Sequence, residues 1–379
     1  MTKTYSNELI GVKESVTDEF LLLNPLQTPM INLLGFGTPV TNVEHTWFED
    51  EMFAQEGLVS KDAAAEDTVI EVEDAEPFRP NLVIRNGEEL ILVGKVEGTK
   101  LTVVRGYADT TAEALTAGGS LEVMFVEGAE GADARDGRYK PRTRVSNITQ
   151  IFDETVELSG TAMAVAQHGV DNEFEKEKQK KQLELALQLE KAVINGVRYE
   201  QGNKRMMRGI RSFIATNVVA ANGEEIADKH LIEAFRMIFE KGGFDTGGDY
   251  KVVAGATQKV AISAFDNAQI RLDRQDNGRG QVVDHYISDF GAAEIVLNKN
   301  LPAGEILVID ANRLSIRPLQ GRDFSHEYLG KKGDYMQGML VGEYTLEMLQ
   351  EAAHAKITGL ATGAPKVTKV AATKAAAKK

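Results

Sequence analysis

The sequence contains no cysteine among its 379 residues. It therefore has no disulfide bond, no thiolate zinc site and no cysteine nucleophile, which fits a reducing compartment. No apolar run reaches the roughly 18 residues of a membrane-spanning helix, so we predict no contact with a membrane. Residues 1–20 lack the apolar core of a secretory signal, and we expect no export.

Motifs that carry catalysis are missing as well: there is no GxxxxGK[ST] loop, GxGxxG turn, GxSxG elbow or HExxH pair. The histidines are scattered without metal-ligand spacing, at His45, His168, His230, His285, His326 and His354. The segment Asp273–Asp284 partly resembles a calcium loop, but Gln275 replaces an acid or Asn and Asp284 replaces the bidentate Glu. Carboxylates are abundant, yet no pair has the spacing of a general acid and base. We therefore predict no enzyme, no catalytic residue, no metal site and no cofactor.

Acidic residues outnumber basic ones, which gives a formal net charge of −14. Residues 364–379 hold five lysines and no acid, so the preceding residues are more acidic still. An acidic body repels phosphate and disfavours a sequence-reading DNA binder, whereas a container for DNA benefits from it. The Lys/Ala composition of 364–379 predicts a solubilising, disordered tail, and the alternative is a tether for nucleic acid or a partner protein.

The length predicts two or three domains, because single domains rarely reach this size. Residues 1–45 are predicted to form an extended arm, since Pro25, Pro29 and Pro39 prevent a continuous helix. A short helix is predicted at 30–34. Whether the arm lies on a neighbouring subunit or on its own domain is left open by the sequence.

Residues 67–127 form a compositional island of short β-strands. The strands are predicted at 68–74, on both sides of Asn86-Gly87 within 81–96, at 100–107 and at 120–125. Short strands at this regular spacing predict a small antiparallel barrel or sandwich inserted in the chain. Surface decoration or inter-subunit contact is one role for it, and a stabilising insertion without a binding role is the other.

The segment 142–197 joins an extended, Thr-rich run to one long charged helix. After Gly169, neither Gly nor Pro occurs from Asp171 to Asn195, which predicts a helix roughly 37 Å long that stops at Gly196. Glutamates precede lysines by three residues in its first half: Glu173, Glu175, Glu177, Lys176, Lys178 and Lys180. The second half is amphipathic, with a stripe of Leu183, Leu187 and Ile194 widened by Leu185, Leu189, Ala192 and Val193. Such a helix suits a beam across a flat subunit, packed on its own sheet.

After Met206 the sequence changes to an alternation of helices and strands. Helices are predicted at 231–243 and 257–272, and strands at 250–256, 281–290, 292–298, 304–310, 313–319 and 335–349. An α/β enzyme built on 206–315 is one interpretation, and the missing nucleotide and nucleophile motifs argue against it.

Four blocks of residues occur in order along the chain. The first contains Thr28-Pro29, Asn42, Trp47 and Glu49–Glu51, and the second Asn147, Thr149–Ile151 and Leu158–Ala162. The third contains Asp289–Gly291, Leu301-Pro302 and Ile309-Asp310, and the fourth Gly333-Asp334, Gly342–Glu347, Ala352–Ala355 and Ile357–Leu360. Together they resemble the tailed-phage major capsid proteins, with a departure at Leu349-Gln350, where Asn is common. The motif of Arg105-Gly106-Tyr107, Thr110 and Gly118-Gly119 resembles a small β-domain that recurs in phage structural proteins.

This resemblance implies the Hong Kong 97 capsid fold, an α+β fold, with the small all-β domain inserted. It implies an N-terminal arm at 1–45, an E-loop at 46–150 around the insertion at 67–127, a P-domain at 151–205 and 316–363 with a spine helix at 171–195, an A-domain at 206–315, and the tail at 364–379.

The function implied is that of a major capsid protein of a tailed double-stranded DNA bacteriophage. Copies would form hexamers and pentamers of an icosahedral shell, assembled in the host bacterial cytoplasm. The expected partners are other copies, a portal, decoration proteins and packaged DNA by non-specific proximity. Because the arm motif already begins at Thr28, we expect a separate scaffolding protein and little N-terminal cleavage. The alternative is a phage decoration or tail adhesion protein, against which the single tryptophan and the 7% aromatic content argue.

Overall fold

The computed structural model describes residues 28–131, 133–164, 173–244, 248–264 and 285–363. The chain divides into a smaller compact unit, Phe48–Arg144, and a larger one that comprises Met1–Trp47 and Val145–Lys379. Several predicted features lie outside the described residues: most of the arm, Gly169, His168, the calcium-like loop and the Lys/Ala tail.

The first part of the chain contains α1 (Pro29–Leu34), β1 (Glu44–Glu49), β2 (Glu56–Leu58), β3 (Val69–Glu71), β4 (Leu82–Asn86), β5 (Glu89–Glu97), β6 (Lys100–Val104), β7 (Ser120–Val126) and β8 (Thr143–Ile148). The central part contains β9 (Gln150–Ser159), α2 (Gly160–Ala164), α3 (Glu173–Asn195), β10 (Tyr199–Gln201), β11 (Lys204–Met206), α4 (Ile210–Phe213), β12 (Val218–Ala220) and α5 (Asp228–Glu240). The last part contains β13 (Tyr250–Ala254), α6 (Ala256–Ser263), β14 (His285–Ile287), β15 (Ala292–Leu297), β16 (Ile306–Asp310), β17 (Leu314–Pro318), β18 (Ser325–Gly333), β19 (Tyr335–Met348) and β20 (Ala355–Thr358).

The smaller unit is a closed antiparallel barrel. Its strands follow the order β2-β7-β4-β5-β6-β3, and an antiparallel bridge between Val59 and Val72 joins the two end strands. The strands predicted within 67–127 are present, and β4 and β5 meet at the predicted turn, where Gly87 has a positive φ of 56°. Strand β2 lies upstream of that segment and extends the barrel beyond the predicted boundary.

One sheet of the larger unit is mixed, in the order β12-β20-β16-β13-β15-β14. The apolar face of α5 packs in its core with Leu231, Phe235 and Ile238. Residues 355–358, which the sequence grouped with 316–363, form strand β20. This strand lies between β12 and β16 in the mixed sheet, and its Ala355 and Ile357 are buried in the α5 core.

The other sheet is built on the long strand β19. Strand β9 pairs with one edge of β19, and β18 and then β17 pair with the other. Helix α3 packs against this sheet through Leu185, Leu189 and Val193, which lie four residues apart on one face. The predicted stripe was therefore wrong at Leu183, which is exposed, because the sheet contacts the face that contains Leu185.

The charged half of α3 follows the predicted pattern where its side chains are described. Lys178 lies 3.0 Å from Glu175, and Lys180 contacts Glu177, both at the predicted spacing of three residues. The helix ends at Asn195, immediately before Gly196, as predicted. The sequence placed the start of the helix at 171, and the described part of it begins at Glu173.

Candidate assembly surfaces and the polar seam

Strand β19 buries both of its faces over residues 343–348. Apolar side chains on one face join the core around α3: Tyr344, Leu346 and Met348. The alternate side chains are polar and yet buried, which costs free energy unless each one finds a hydrogen-bond partner. Together with two residues of the β8–β9 junction they form what we call the polar seam: Asn147, Thr149, Glu343, Thr345 and Glu347.

Side chains of Asn147 and its neighbours hydrogen-bond across the seam. The Asn147 amide nitrogen donates to the carbonyl oxygens of Leu346, at 2.7 Å, and Arg208, at 3.0 Å, and its oxygen accepts from the Arg208 N–H at 2.8 Å. The Thr149 hydroxyl donates to the Glu343 carboxylate at 2.5 Å. The second and fourth blocks of the sequence are thus joined to each other.

The two glutamates of the seam are each held by basic side chains. Glu343 accepts from Arg205 at 2.7 Å and from Arg322 at 3.0 Å. Glu347 accepts from His45 at 2.8 Å and also contacts the Arg317 guanidinium. Burial raises the pKa of Glu347, but the hydrogen bond from His45 and the charge of Arg317 outweigh it, so the pKa lies below its usual value.

His354 connects the third block to the end of the fourth. Its Nδ1 accepts a hydrogen bond from the backbone N–H of Asp310 at 3.2 Å, which requires a neutral ring. Complete burial lowers the pKa of His354 to about 4, so the ring stays neutral at pH 7. The Asp310 carboxylate in turn accepts from the backbone N–H groups of Asp249 and Asn312. These side chains hold the backbone in place through hydrogen bonds, and they are not arranged for a chemical reaction.

Arg105 of the barrel forms a buried ion pair with Glu89. Its Nε and Nη2 donate to the two carboxylate oxygens at 2.8 and 2.7 Å, and its Nη1 donates to the Ala64 carbonyl at 2.8 Å. The backbone N–H groups of Gly106 and Glu113 also donate to Glu89. Burial alone would raise the pKa of Glu89. The hydrogen bonds from these donors outweigh burial, so the pKa lies below its usual value. Arg105 and Gly106 of the Arg-Gly-Tyr motif therefore fix the loop between β6 and β7.

Large apolar side chains are exposed on both units. On the larger unit they include a pair on the β10–β11 hairpin and a pair on β18: Tyr199, Met206, Tyr328 and Leu329. On the smaller unit they include Phe48, Met52, Val104, Phe125 and Tyr139. Side chains of this kind are the ones that protein–protein interfaces bury. We regard them as candidate surfaces for contact with further copies of the chain.

The described histidines do not cluster: His45, His230 and His354 have structural partners, and His326 packs edge-on against Phe174. Within the described ranges, no three His, Asp or Glu side chains are grouped so that they could hold a metal ion. None of the helices described there combines the length and the apolar character needed to cross a membrane.

Glu190 was missed by the sequence reasoning. It lies on the long helix α3, fully buried, and accepts hydrogen bonds from the start of α1. A Glu in a helix with many exposed acids carries no local signal that distinguishes it, because its partners lie far away in sequence.

Comparison with known proteins agrees with this architecture. A family model described as SU10 major capsid protein matches residues 1–361. The major capsid protein of Pseudomonas phage PaMx41 is 23% identical over 372 residues, which cover 87% of each chain. A capsid chain of Cyanophage P-SCSP1u superposes with a TM-score of 0.53 at 11% identity, covering 96% of both chains. A chain of the Cyanophage A-1(L) capsid gives 0.51 at 10% identity, covering 95% of this chain and 99% of that chain.

The structural matches confirm the predicted α+β fold of the Hong Kong 97 type. The family match confirms the resemblance that the four blocks indicated, and it extends over nearly the entire chain. This protein belongs to the SU10 major capsid protein family.

Proposed function

We propose that copies of this chain form the hexamers and pentamers of an icosahedral shell that encloses the double-stranded DNA of a tailed phage. The observation that carries the proposal is the family match over residues 1–361. The same match disfavours the alternative of a decoration or tail adhesion protein.

The geometry supports assembly, and not catalysis, as the task of the chain. Part of the fourth sequence block lies in the polar seam, where Glu343 and Glu347 bind arginines and a histidine of the same chain. These ion pairs and hydrogen bonds of the two carboxylates stabilise the fold of the single chain. The exposed apolar side chains of both units are then available for obligate contacts between copies. We propose that the protein is not an enzyme.

We propose a division of the chain into an N-terminal arm at 1–45, an E-loop at 46–150 that holds the barrel, a P-domain at 151–205 and 316–363 with the spine helix α3, an A-domain at 206–315, and a tail at 364–379. The sheet around β19 supports the P-domain. The mixed sheet, to which β20 returns, supports the A-domain.

The proposed partners follow from the function of a shell. Packaged DNA would lie against a wall of chains that each carry a formal net charge of −14, which limits its adhesion to the protein. A portal, a separate scaffolding protein and decoration proteins complete the set, and assembly takes place in the host bacterial cytoplasm.

Electron microscopy of the purified full-length protein tests the proposal, with and without the candidate scaffolding protein of the same phage. Closed shells or hexameric capsomers are the expected result. A monodisperse monomer at high concentration under both conditions contradicts it.

A further inference from the structure

The first helix, α1, has no cap from its own sequence. Pro29 has no N–H group, and the side chain of the N-cap residue Thr28 makes no capping hydrogen bond. The next two N–H groups, those of Met30 and Ile31, each donate to a different oxygen of the Glu190 carboxylate, both at 3.0 Å. The following N–H, of Asn32, bonds the Thr28 carbonyl at 3.1 Å. One carboxylate on α3 thus satisfies both orphan donors of α1.

Glu190 is fully buried and has no cation as a partner among these contacts. Its third hydrogen bond comes from the Asn298 side-chain amide at 2.7 Å. The charged side chains on the elements around it are exposed or engaged elsewhere: Lys191 and Lys299 are exposed, Arg313 pairs with Asp310, and Arg317 pairs with Glu347. Burial raises the pKa of Glu190, and the three neutral donors only partly offset this effect.

The residues that follow α1 are fixed to the larger unit by backbone contacts. Phe36 and Val40 form parallel bridges to Ile316 and Leu319 of the β17 region, and the N–H of Gly37 donates to the Ile316 carbonyl at 2.8 Å. The downstream end of this segment is therefore held by several backbone hydrogen bonds. Its upstream end, where residues 1–27 join, is held by the carboxylate of Glu190 and the buried side chain of Met30.

We propose that Glu190 is a positioning residue that latches the N-terminal arm to the long helix α3. The latch sets the point at which residues 1–27 join the larger unit. It also couples that point to α3, because a movement of this helix displaces the acceptor of both α1 N–H groups. The role in assembly rests on the proposed function, whereas the latch itself is a property of the single chain.

The stability of the latch depends on pH, and the burial of the Glu190 carboxylate determines the direction of this dependence. With the latch closed, the carboxylate binds its proton more tightly than a solvated Glu of pKa 4.5 does. Lowering the pH therefore favours the closed latch, and its stability declines as the pH rises through the raised pKa.

Hydrogen exchange of residues 28–35, followed by mass spectrometry on the full-length protein, tests the latch. The variant Glu190→Gln should exchange this segment about tenfold faster or more at pH 7, because the Gln NH2 group cannot accept from a backbone N–H, whereas the hydroxyl oxygen of a protonated Glu still can. After correction for the intrinsic rate, the wild type should gain protection as the pH is lowered from 7 to 4.5, and the variant should not. The matched control is Glu184→Gln, an exposed position on the same helix, which should behave as the wild type.

A second variant covers the case in which Glu190→Gln does not fold. Asn298→Ala removes one donor and leaves the carboxylate, so it should lose protection of residues 28–35 at pH 7 and regain it at pH 4.5. If either variant exchanges residues 28–35 at the wild-type rate at both pH values, Glu190 does not act as a latch. Exchange is measured whether the protein is in shells or in subunits, so a failure to form shells contradicts the proposed function alone.

Discussion

Replacing Glu343 by Gln removes the charge at the centre of the polar seam. The Arg205 pair is largely buried, and breaking such a pair costs about 3–5 kcal/mol. Arg322 is about half exposed, so its lost pair counts as a surface pair of roughly 0.2–1 kcal/mol. Gln still offers one oxygen to Thr149, and Arg205 regains some water. We therefore expect the free energy of unfolding to fall by about 3 kcal/mol.

Urea unfolding of subunits, kept below the concentration at which they assemble, measures this loss. The matched control is Glu327→Gln, an exposed position on the neighbouring strand β18 of the same sheet. It should change the free energy of unfolding by less than about 0.5 kcal/mol. If Glu343→Gln unfolds at the same urea concentration as this control, the seam does not stabilise the fold and the reasoning is refuted.

Three further changes test other contacts. Gly196→Ala would bring a Cβ within 2.5 Å of two backbone carbonyl oxygens, so thermal unfolding should show a loss of about 1–3 kcal/mol. Gly137→Ala, in a loop with open space around it, should be neutral. Arg105→Lys removes the planar guanidinium that binds both carboxylate oxygens of Glu89. Hydrogen exchange in the barrel strands should then accelerate at least about tenfold, and an unchanged exchange rate would contradict this role. Because the pKa of Glu347 is lowered, its contribution to the free energy of unfolding is present above pH 4.5 and is lost as the pH falls through the lowered pKa. Below pH 4.5, the stability of the wild type should therefore drop more steeply than that of Glu347→Gln. Parallel pH profiles of the two proteins would contradict this.

Local patterns predicted the elements whose signals lie within a few residues. The Asn86-Gly87 pair predicted its hairpin, because both residues favour the backbone of a two-residue turn. The absence of Gly and Pro from Asp171 to Asn195 predicted α3, and Gly196 predicted its end. The sequence blocks predicted the capsid fold as a resemblance, and the structure shows how the second and fourth blocks are joined: Asn147 donates to the Leu346 carbonyl and Thr149 to the Glu343 carboxylate.

Features that depend on distant contacts were not predictable in the same way. Leu183 and Leu185 lie about 200° apart on a helix, and only the position of the sheet decides which one is buried. Glu190 accepts from N–H groups that are 160 and 159 positions away, so no local pattern identifies it. Strand β2 has three residues, Glu56–Leu58, and is too short for an alternation to be recognised; its pairing with β7 defines it.

The most direct test of the account is a side-chain-resolution cryo-electron microscopy reconstruction of the phage particle. We predict that this chain occupies the fivefold and sixfold positions of the shell itself, with β9 paired along β19 and Glu343 bound to Arg205. Finding the chain only in the tail, or only as an addition on the outside of a shell built by another protein, would contradict the central claim.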